Sequence, residues 1–384
     1  MVLPKIVHMT SAHPPFDNRI FYKECRTLVQ AGYEVVLIVQ HDRQEVIHGV
    51  RIVPITISQT LVQRMVLTIW KILKTALDED AYVYHFHDPE LILIGMLLKM
   101  RGKRVVYDVH ENVPDHFLLR EYIPIFLRGF LGKLAGMVEL LAAMFFDGMI
   151  AATPTIAQRF SKRKTVVVKN FPIVEKHGHS EMQEYMERSP LVVYAGGITI
   201  AKGIKEMVEA MAFLPDNVEA NLILAGNFSP PELEREVSQL AGWERVTFTG
   251  WQSGETIVSF IARARIGLVV LHPLASYVDS LPTKLFDYMA AGIPVVASDF
   301  VLFREIIEGA NCGILVDPQD SEAIAEAIHW LLRHPQEAKA MGVRGLQAIQ
   351  TRYNWTNETE QLLDFYKRLI PSSKNVRSYL PRHT

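Results

Sequence analysis

The sequence has 384 residues, of which 49% are hydrophobic and 21% are charged, and its formal net charge is -2. This composition excludes a disordered or fibrous chain, gives no reason to expect a nucleic-acid partner, and at this length suits two domains of ordinary size. The charge is uneven, since residues 1–172 carry a net charge of about +5 and the remainder about -7. A basic first half suits an anionic acceptor or a membrane surface, although ordinary scatter of surface charge would give the same pattern.

Cysteine content and hydropathy bear on the compartment. Cys25 and Cys312 fall in different predicted domains, so we expect no structural disulfide and a reducing, cytoplasmic setting. The N-terminus leads directly into a predicted strand without the pattern of a signal peptide. The most apolar long run, residues 130–152, is interrupted by Lys133, Glu139 and Asp147, so we do not expect it to span a bilayer.

The first half begins with the pattern of a doubly wound parallel sheet. Residues 5–9 and 33–39 are predicted strands, joined by a long loop and a helix over residues 19–31. Ligands bind beyond the carboxyl ends of such strands, so Asp17 and Arg19 are acceptor-side candidates; alternatively, they pair with each other at the start of the helix. No Gly-x-Gly-x-x-Gly follows the first strand, so no dinucleotide cofactor is indicated.

A cluster of polar residues lies at the end of the strand predicted over residues 82–86. His85 and His87 would lie on one face, which suggests a metal site, but no third or fourth ligand stands at a recognisable spacing. We therefore expect no metal. Asp88 is predicted to cap the next helix, over residues 90–100, and is also an acceptor-side candidate.

The stretch over residues 117–146 is apolar with interleaved cations, among them Arg120, Arg128 and Lys133. One interpretation is an interfacial helix that rests on an anionic bilayer. The other is a helix that packs against the sheet of the first domain.

A linker over residues 173–189 separates the first domain, residues 1–172, from a second domain over residues 190–352. The second domain opens with a strand over residues 191–195 and a tight turn, followed by a helix over residues 203–214. Lys202 stands just before this helix, where its cation and the free amides can together bind a diphosphate. The alternative is a solvated lysine at a helix end.

The stretch DSLPTKLFDYMAAGIPVVASD, residues 279–299, predicts a second anion site. A buried strand over residues 269–271 leads in, and Pro282 is placed near the first turn of a short helix. The amides around Lys284 are then free at a helix N-terminus, which favours an anion. Asp279 and Asp287 bracket this turn at a spacing of eight residues.

This stretch resembles the C-terminal half of the retaining, nucleotide-sugar-dependent glycosyltransferases of family four. The shared pattern is two acids eight residues apart, a helix of small residues and a Gly-x-Pro-Val-Val strand. The resemblance implies the α/β GT-B fold, in which two Rossmann-like domains with doubly wound parallel sheets face each other across a cleft. Asp279 and Asp287 depart from the glutamates usual in the family, and Gly197 stands where the family usually has arginine, for which Lys284 is the candidate substitute.

The resemblance also implies roles for individual residues. His110 and Asp279 would lie beside the donor sugar, Asp287 would bind the ribose, and the residues around Trp251 would contact the base. The implied catalytic set is His110, Asp279 and Lys202, and the implied donor contacts are Gly196, Gly197, Lys202, Asn227, Trp251, Ser280, Leu281, Pro282, Thr283, Lys284 and Asp287. Glu111 joins the acceptor-side candidates. A helix over residues 353–370 would cross back to the first domain, followed by a tail over residues 371–384.

The activity implied is transfer of a sugar, with a UDP-sugar favoured as donor, to a glycan or lipid-linked acceptor with retention of configuration. Cell-surface polysaccharide synthesis at the cytoplasmic face of a membrane would suit such an enzyme, and neither a cofactor nor a metal is expected. The alternatives are a nucleotide-sugar epimerase or a phosphorylase of the same fold, and a non-catalytic sugar-nucleotide-binding partner. Nucleotide binding without donor turnover would identify the last of these.

Overall fold

The computed structural model describes residues 3–55, 68–118, 124–174 and 184–370. The chain forms two compact units, one made of Met1–Asn170 with Trp355–Thr384 and the other of Phe171–Asn354. The junction therefore lies two residues before the predicted boundary at residue 172. Most of the predicted linker, residues 175–183, and the predicted tail, residues 371–384, lie outside the described residues.

The first unit contains a sheet of eight described strands. They are β1 (Leu3–Met9), β2 (Tyr33–Gln40), β3 (Glu45–Ile47), β4 (Val50–Ile55), β5 (Val83–Phe86), β6 (Arg104–Val109), β7 (Gly148–Ala151) and β8 (Thr165–Val167). Their order is β3-β4-β2-β1-β5-β6-β7-β8. All neighbours are parallel except β3 and β4. Strands β2 to β4 lie on one side of β1 and strands β5 to β8 lie on its other side. This change of side after β4 is what a doubly wound sheet requires.

Helices connect these strands and bury both faces of the sheet. The described helical segments are Ile20–Cys25 (a π-helix), Arg26–Gln30, Ile69–Asp78, Pro89–Leu91 (3₁₀), Ile92–Met100, Val113–Leu118, Ile125–Phe145, Pro154–Gln158 and the C-terminal Trp355–Leu369. The C-terminal helix packs within this unit, since Trp355 Nε1 donates to Thr27 Oγ1 at 2.9 Å and the Tyr366 hydroxyl lies 2.8 Å from His85 Nδ1.

The second unit contains six described strands, all parallel. They are β9 (Leu191–Ala195), β10 (Asn221–Ala225), β11 (Val246–Gly250), β12 (Ile266–Val269), β13 (Val295–Ser298) and β14 (Gly313–Val316), in the order β11-β10-β9-β12-β13-β14. The helical segments are Tyr185–Glu187, Ile200–Lys202 and Ala241–Arg245 (all 3₁₀), and Ile204–Phe213, Leu233–Val237, Gly254–Arg263, Ala275–Val278, Thr283–Ala290, Val301–Ala310, Ser321–Arg333 and Pro335–Thr351. Two parallel sheets covered by helices confirm the predicted fold class.

One predicted strand is displaced. The sequence predicts a strand over residues 269–271, whereas β12 ends at Val269. The reason is that the Leu271 amide donates to the Ser298 hydroxyl at 2.6 Å, and this hydroxyl lies 2.8 Å from the Leu271 carbonyl. The side chain of Ser298 replaces the neighbouring strand as the partner of Leu271, so the backbone leaves the sheet early and turns toward the helix Thr283–Ala290.

The helix Ile125–Phe145 buries small residues and exposes large apolar ones. Gly132, Gly136 and Ala142 lie on its buried face, and a Cβ atom on Gly136 would be 2.7 Å from Pro114 Cγ. Its exposed apolar residues are Phe126, Leu127, Phe130, Leu134, Met137, Val138, Leu140, Leu141, Met144 and Phe145. The buried face is therefore consistent with a helix that packs within the first unit, and the exposed apolar face is consistent with an interfacial helix. None of the helices in the described ranges is long and apolar enough to cross a bilayer.

Candidate functional site

The first part of the candidate site is the turn that follows β9. Gly196 has φ +135° and its amide donates to the Ala225 carbonyl at 2.9 Å, while the Ile198 amide donates to Asn227. A Cβ atom on Gly226 would lie 1.9 Å from the Gly196 carbonyl oxygen. Glycine is therefore required where the two turns meet, since a side chain would separate them. This contact also places the exposed Asn227 next to the turn.

Two lysine ammonium groups lie against this turn. A Cβ atom on Gly197 would be 3.3 Å from Lys202 Nζ, and one on Gly196 would be 3.2 Å from Lys284 Nζ. The two cations come from different segments, because Lys202 ends the 3₁₀ turn Ile200–Lys202 and Lys284 lies in the first turn of Thr283–Ala290. The structure thus brings together the two predicted anion sites. It places Lys202 beside Gly197, where the family that the sequence resembles usually has arginine, and Lys284, the predicted substitute for that arginine, beside Gly196.

Lys284 has an unusual electrostatic environment. Its Nζ lies 3.8 Å from the centroid of the Tyr194 ring, and the Tyr194 hydroxyl donates to the Gly197 carbonyl at 2.8 Å. Burial, with repulsion from Lys202 as a second cause, lowers the pKa of Lys284 to about 7. Near neutral pH, the fraction of Lys284 in the ammonium form therefore increases when a negative charge binds nearby.

The helix Thr283–Ala290 begins as the sequence predicts, directly after Pro282. Pro282 is the N-cap residue, has an extended conformation and makes no capping hydrogen bond with its side chain. The first amides of a helix have no partner within it, so those of Thr283 and Lys284 add donors to the two ammonium groups. Asp279 and Asp287 are both exposed, and the Ser280 hydroxyl donates to the Tyr277 carbonyl at 2.9 Å.

Trp251 and His272 each follow a strand of the second unit. Trp251, which follows β11, is 72% exposed and free of the hydrophobic core. His272 was not among the residues that the sequence singled out, but its Nε2 lies 3.0 Å from Glu206 Oε1 and its amide donates to the Ala201 carbonyl. His272 thereby fixes the loop after β12 to the turn that carries Lys202. The sequence feature that could have identified His272 as a site residue is its position just after a buried strand.

In the first unit, Asp108 at the end of β6 is the centre of a buried network. Its carboxylate accepts from Arg19 Nε at 2.9 Å and Arg19 Nη2 at 2.8 Å, and it lies 2.9 Å from His110 Nε2 and 3.2 Å from His87 Nδ1. Burial opposes the charge on Asp108, but Arg19 and the histidines outweigh it and hold the pKa of Asp108 well below its ordinary value. An ionised Asp108 fixes the ring of His110 through its Nε2.

Arg19 and Asp17 do not form the predicted side-chain pair. Asp17 Oδ1 accepts from the amides of Arg19 and Ile20 at 2.8 and 2.9 Å, so it caps the helical segment that begins there. The Arg19 side chain is only 4% exposed and is directed to Asp108 and the Val168 carbonyl. A direct contact between Arg19 and an acceptor stays a prediction, while the structure gives this residue a positioning role for Asp108.

Asp88 does not cap the following helix, contrary to the sequence prediction. It occupies the N-cap position, but its side chain makes no capping hydrogen bond. Its carboxylate accepts instead from Thr10 Oγ1 at 2.7 Å and the Ser11 amide at 2.6 Å, and pairs with His13 at 3.0 Å. Burial opposes ionisation, but these donors prevail and keep the pKa of Asp88 well below its ordinary value. Asp88 therefore holds the loop after β1, while Glu111 is exposed.

Comparison with known proteins gives two family matches. Residues 18–171 match the model described as "Glycosyltransferase Family 4", and residues 179–347 match "Glycosyl transferases group 1". A curated relative is alpha-D-kanosaminyltransferase of Streptomyces kanamyceticus, which is 28% identical over 186 residues and aligned over 48% of this chain and 47% of that protein. The chain thus spans about half the length of the curated relatives it matches.

Solved structures share the fold over nearly the whole chain. Sucrose-phosphate synthase from Thermosynechococcus elongatus has a TM-score of 0.75 at 20% identity, covering 96% of this chain and 99% of that one. Anabaena HepE, solved in complex with UDP-glucose, has a TM-score of 0.72 at 15% identity, covering 95% and 100%. These likenesses establish the GT-B fold, and the two family matches lie one after the other along it. The chain therefore belongs to the family-four-like, group 1 glycosyltransferases.

Proposed function

We propose that this chain transfers a sugar from a UDP-sugar to a glycan or lipid-linked acceptor, with retention of the anomeric configuration. The observation that carries the proposal is the pair of ammonium groups of Lys202 and Lys284 against the glycine turn. Two cations and a helix N-terminus at one position suit a diphosphate. The UDP complex of the similarly folded HepE supports uracil as the base.

The proposed chemistry breaks the bond between the anomeric carbon and the donor phosphate. Negative charge grows on the leaving diphosphate, and Lys202, Lys284 and the nearby amides stabilise it without a metal. The acceptor oxygen attacks the anomeric carbon from the side of the leaving group, and its proton goes to a diphosphate oxygen. Asp279 would hold the sugar hydroxyls, and Asp287 the ribose. His110, fixed by Asp108, would bond a sugar hydroxyl or the acceptor.

Titration calorimetry of the wild type and Lys202→Ala with UDP, GDP and their sugar conjugates, without added metal, tests the donor site. We expect micromolar binding of UDP and at least tenfold weaker binding by the variant, because a charge-assisted contact to phosphate contributes roughly 1.5 to 3 kcal/mol. Lys205→Ala is the matched control, since Lys205 pairs with Glu236 on the surface of the neighbouring helix.

Three outcomes of that titration are informative. Tight binding of GDP instead of UDP would keep the transferase but change the donor. Binding of UDP-sugars without release of UDP in the presence of acceptor extracts would support the non-catalytic alternative, which the Asp279 and Asp287 pair motivates. Failure of every nucleotide to bind would remove the proposal.

We further propose that the helix Ile125–Phe145 rests on an anionic membrane at the cytoplasmic face, where a lipid-linked acceptor would lie. Its outward face carries large apolar residues, while its acidic residue Glu139 is fully buried and paired with Arg159. Exposed Lys133 and the exposed Lys162 and Arg163, near the end of the helix, supply cations. Apolar side chains with flanking cations and no exposed acid on the helix suit anionic headgroups.

Flotation with vesicles of anionic lipid tests this face. Each phenylalanine side chain that enters the bilayer contributes about 1.5 to 3 kcal/mol, so Phe126→Ser combined with Phe130→Ser should weaken partitioning by at least about 100-fold. Val258→Ser with Val301→Ser is the matched control, because these residues are exposed to a similar extent in the second unit. Equal flotation of both double variants, or a wild type that stays entirely in solution, would contradict membrane binding. A wild-type dimer lost in the phenylalanine variant would assign the face to a second copy.

A further inference from the structure

Three histidines and a glutamate meet inside the first unit, beneath His110. His8 lies on β1 and His85 is its direct partner on the adjacent strand β5. His87 follows β5, and Glu24 comes from the π-helical segment Ile20–Cys25. One potential ligand atom from each of these four residues lies within 4.8 Å of the other three. Short π-helical segments frequently occur at functional sites.

Four buried atoms of this cluster make no hydrogen bond within the described part of the chain. They are His8 Nε2, His85 Nε2 and the two Glu24 carboxylate oxygens, of which Oε1 forms an ion pair with Arg19. His8, Glu24 and His85 are each 0% exposed. A buried polar group without a partner costs about 1 to 3 kcal/mol, and here such atoms belong to three of the four residues of the cluster.

The opposite nitrogen of each ring is held in position. His8 Nδ1 is 3.0 Å from His87 Nε2, and His85 Nδ1 is 2.8 Å from the Tyr366 hydroxyl. In metal sites, a ligating histidine typically binds the metal through one nitrogen while a second group fixes the other. His8 and His85 already have this arrangement, with their Nε2 atoms unoccupied by protein.

The buried network contains more acidic groups than cationic groups, which favours the binding of a cation. Asp108 and Glu24 are both buried beside a single guanidinium, since Arg19 binds Asp108 and its Nε lies 3.1 Å from Glu24 Oε1. With both acids ionised, the buried cluster would have one negative charge in excess, which either a proton on Glu24 or a bound metal cation would neutralise. Buried charges normally pair with an opposite charge or coordinate a metal.

We propose that His8 Nε2, His85 Nε2 and the Glu24 carboxylate bind a divalent first-row metal ion, with zinc as the favoured ion, and that His87 positions His8. Imidazole and carboxylate ligands in this number suit zinc and its neighbours. A second group, His87, Asp108 and His110, is also close enough for a metal. It is the poorer site because Arg19 and His110 already use both oxygens of Asp108. The ion would join β1, β5 and the π-helical segment below His110.

The test uses the full chain without an affinity tag, so that no added histidines bind metal. Elemental analysis after growth with zinc should give about one zinc ion per chain. Cobalt added to chelator-treated protein should produce visible absorption bands that saturate at one equivalent. X-ray absorption of zinc-loaded wild type should show nitrogen and oxygen ligands only, with imidazole scattering. This measurement needs no variant to fold.

Variants assign the ligands. His85→Gln and Glu24→Gln should lose the zinc and the rise in melting temperature that zinc gives to the chelator-treated wild type. His110→Gln, in the competing group, and His329→Gln, in the second unit, should keep both. Loss of zinc in His110→Gln with retention in His85→Gln would overturn the assignment. A wild type that holds no zinc and gives no cobalt bands would overturn the site itself.

Discussion

Lys284→Met should lower kcat/KM for the donor by roughly 10² to 10³, equivalent to about 3 to 4 kcal/mol of transition-state stabilisation. The variant removes the ammonium group beside Gly196 and keeps an unbranched apolar side chain over Tyr194, where Lys284 Nζ lies 3.8 Å from the ring centroid. The leaving diphosphate would then face Lys202 and the helix amides alone. Steady-state kinetics with UDP-sugar donors, or UDP titration where the acceptor is unknown, measures the loss.

The pH dependence of UDP binding identifies the ammonium form as the active one. The pKa of Lys284 is lowered to about 7, so below pH 7 the cation is already present and its contribution to affinity is complete. A bound diphosphate raises this pKa. As the pH rises above 7, binding must therefore recruit a proton, and affinity falls by up to about tenfold per pH unit until the pKa of the complex is reached.

Lys202→Met provides a matched control for this interpretation. Repulsion from Lys202 is the second cause of the lowered pKa of Lys284, after burial. The Lys202 variant should therefore bind UDP more weakly at pH 7, yet its affinity should begin to fall at a higher pH than in the wild type. Lys284→Met should show only the pH dependence of the nucleotide phosphate itself. If Lys284→Met and the wild type share one pH profile, Lys284 does not supply the titrating cation.

The sequence was sufficient for the elements whose pattern is local. The strand over residues 191–195 was predicted with its observed bounds and that over residues 82–86 to within one residue, because continuous apolar runs between polar turns are typical of buried parallel strands. The helix after Pro282 also begins where proline predicts. In contrast, β3 and β4 were not predicted. β3 has only three residues, none of them buried, and β4 mixes buried with half-exposed positions and contains Arg51 and Pro54.

The candidate site was predictable where its residues follow one another along the chain. Lys202 and Lys284 were each placed at an anion site, but their common position at the glycine turn depends on the pairing of β9 with β12. Side-chain partners that are distant in sequence could not be derived. Asp88 bonds residues 78 and 77 positions earlier, Thr10 and Ser11, in place of capping its own helix. His8 likewise joins His85 only when β1 and β5 pair, and Glu24 joins them from the π-helical segment Ile20–Cys25.

Arg19→Met should destabilise the first unit by about 3 to 5 kcal/mol, because it leaves Asp108 and Glu24 buried without their guanidinium. Arg19 donates two hydrogen bonds to Asp108 and lies 3.1 Å from Glu24. Asp108→Asn should cost less, since Glu24 can take over as the counter-charge of Arg19. Urea unfolding followed by a probe in the first unit measures both values.

The double variant Arg19→Met/Asp108→Leu separates stability from positioning. Apolar side chains then replace Arg19 and Asp108, and Glu24 stays protonated because burial raises its pKa well above the ordinary value. The free energy of unfolding should therefore recover to within about 1 to 2 kcal/mol of the wild type. Activity should not recover, because His110 Nε2 has lost the carboxylate 2.9 Å away that fixes its ring. Losses of stability that simply add in the double variant would show that Arg19 and Asp108 do not act as a buried pair.

The sign of the pH effect gives an independent check on the same pair. Asp108 has a lowered pKa in the folded protein, so its contribution to stability is present above the ordinary aspartate pKa of about 3.9 and is lost only as the pH falls through the folded value. The difference in stability between wild type and Asp108→Asn should therefore be the same at pH 5 and pH 8, to within about 0.5 kcal/mol. A difference that disappears between these two values would mean that a group titrating in this range, such as a neighbouring histidine, and not Asp108 alone, determines it.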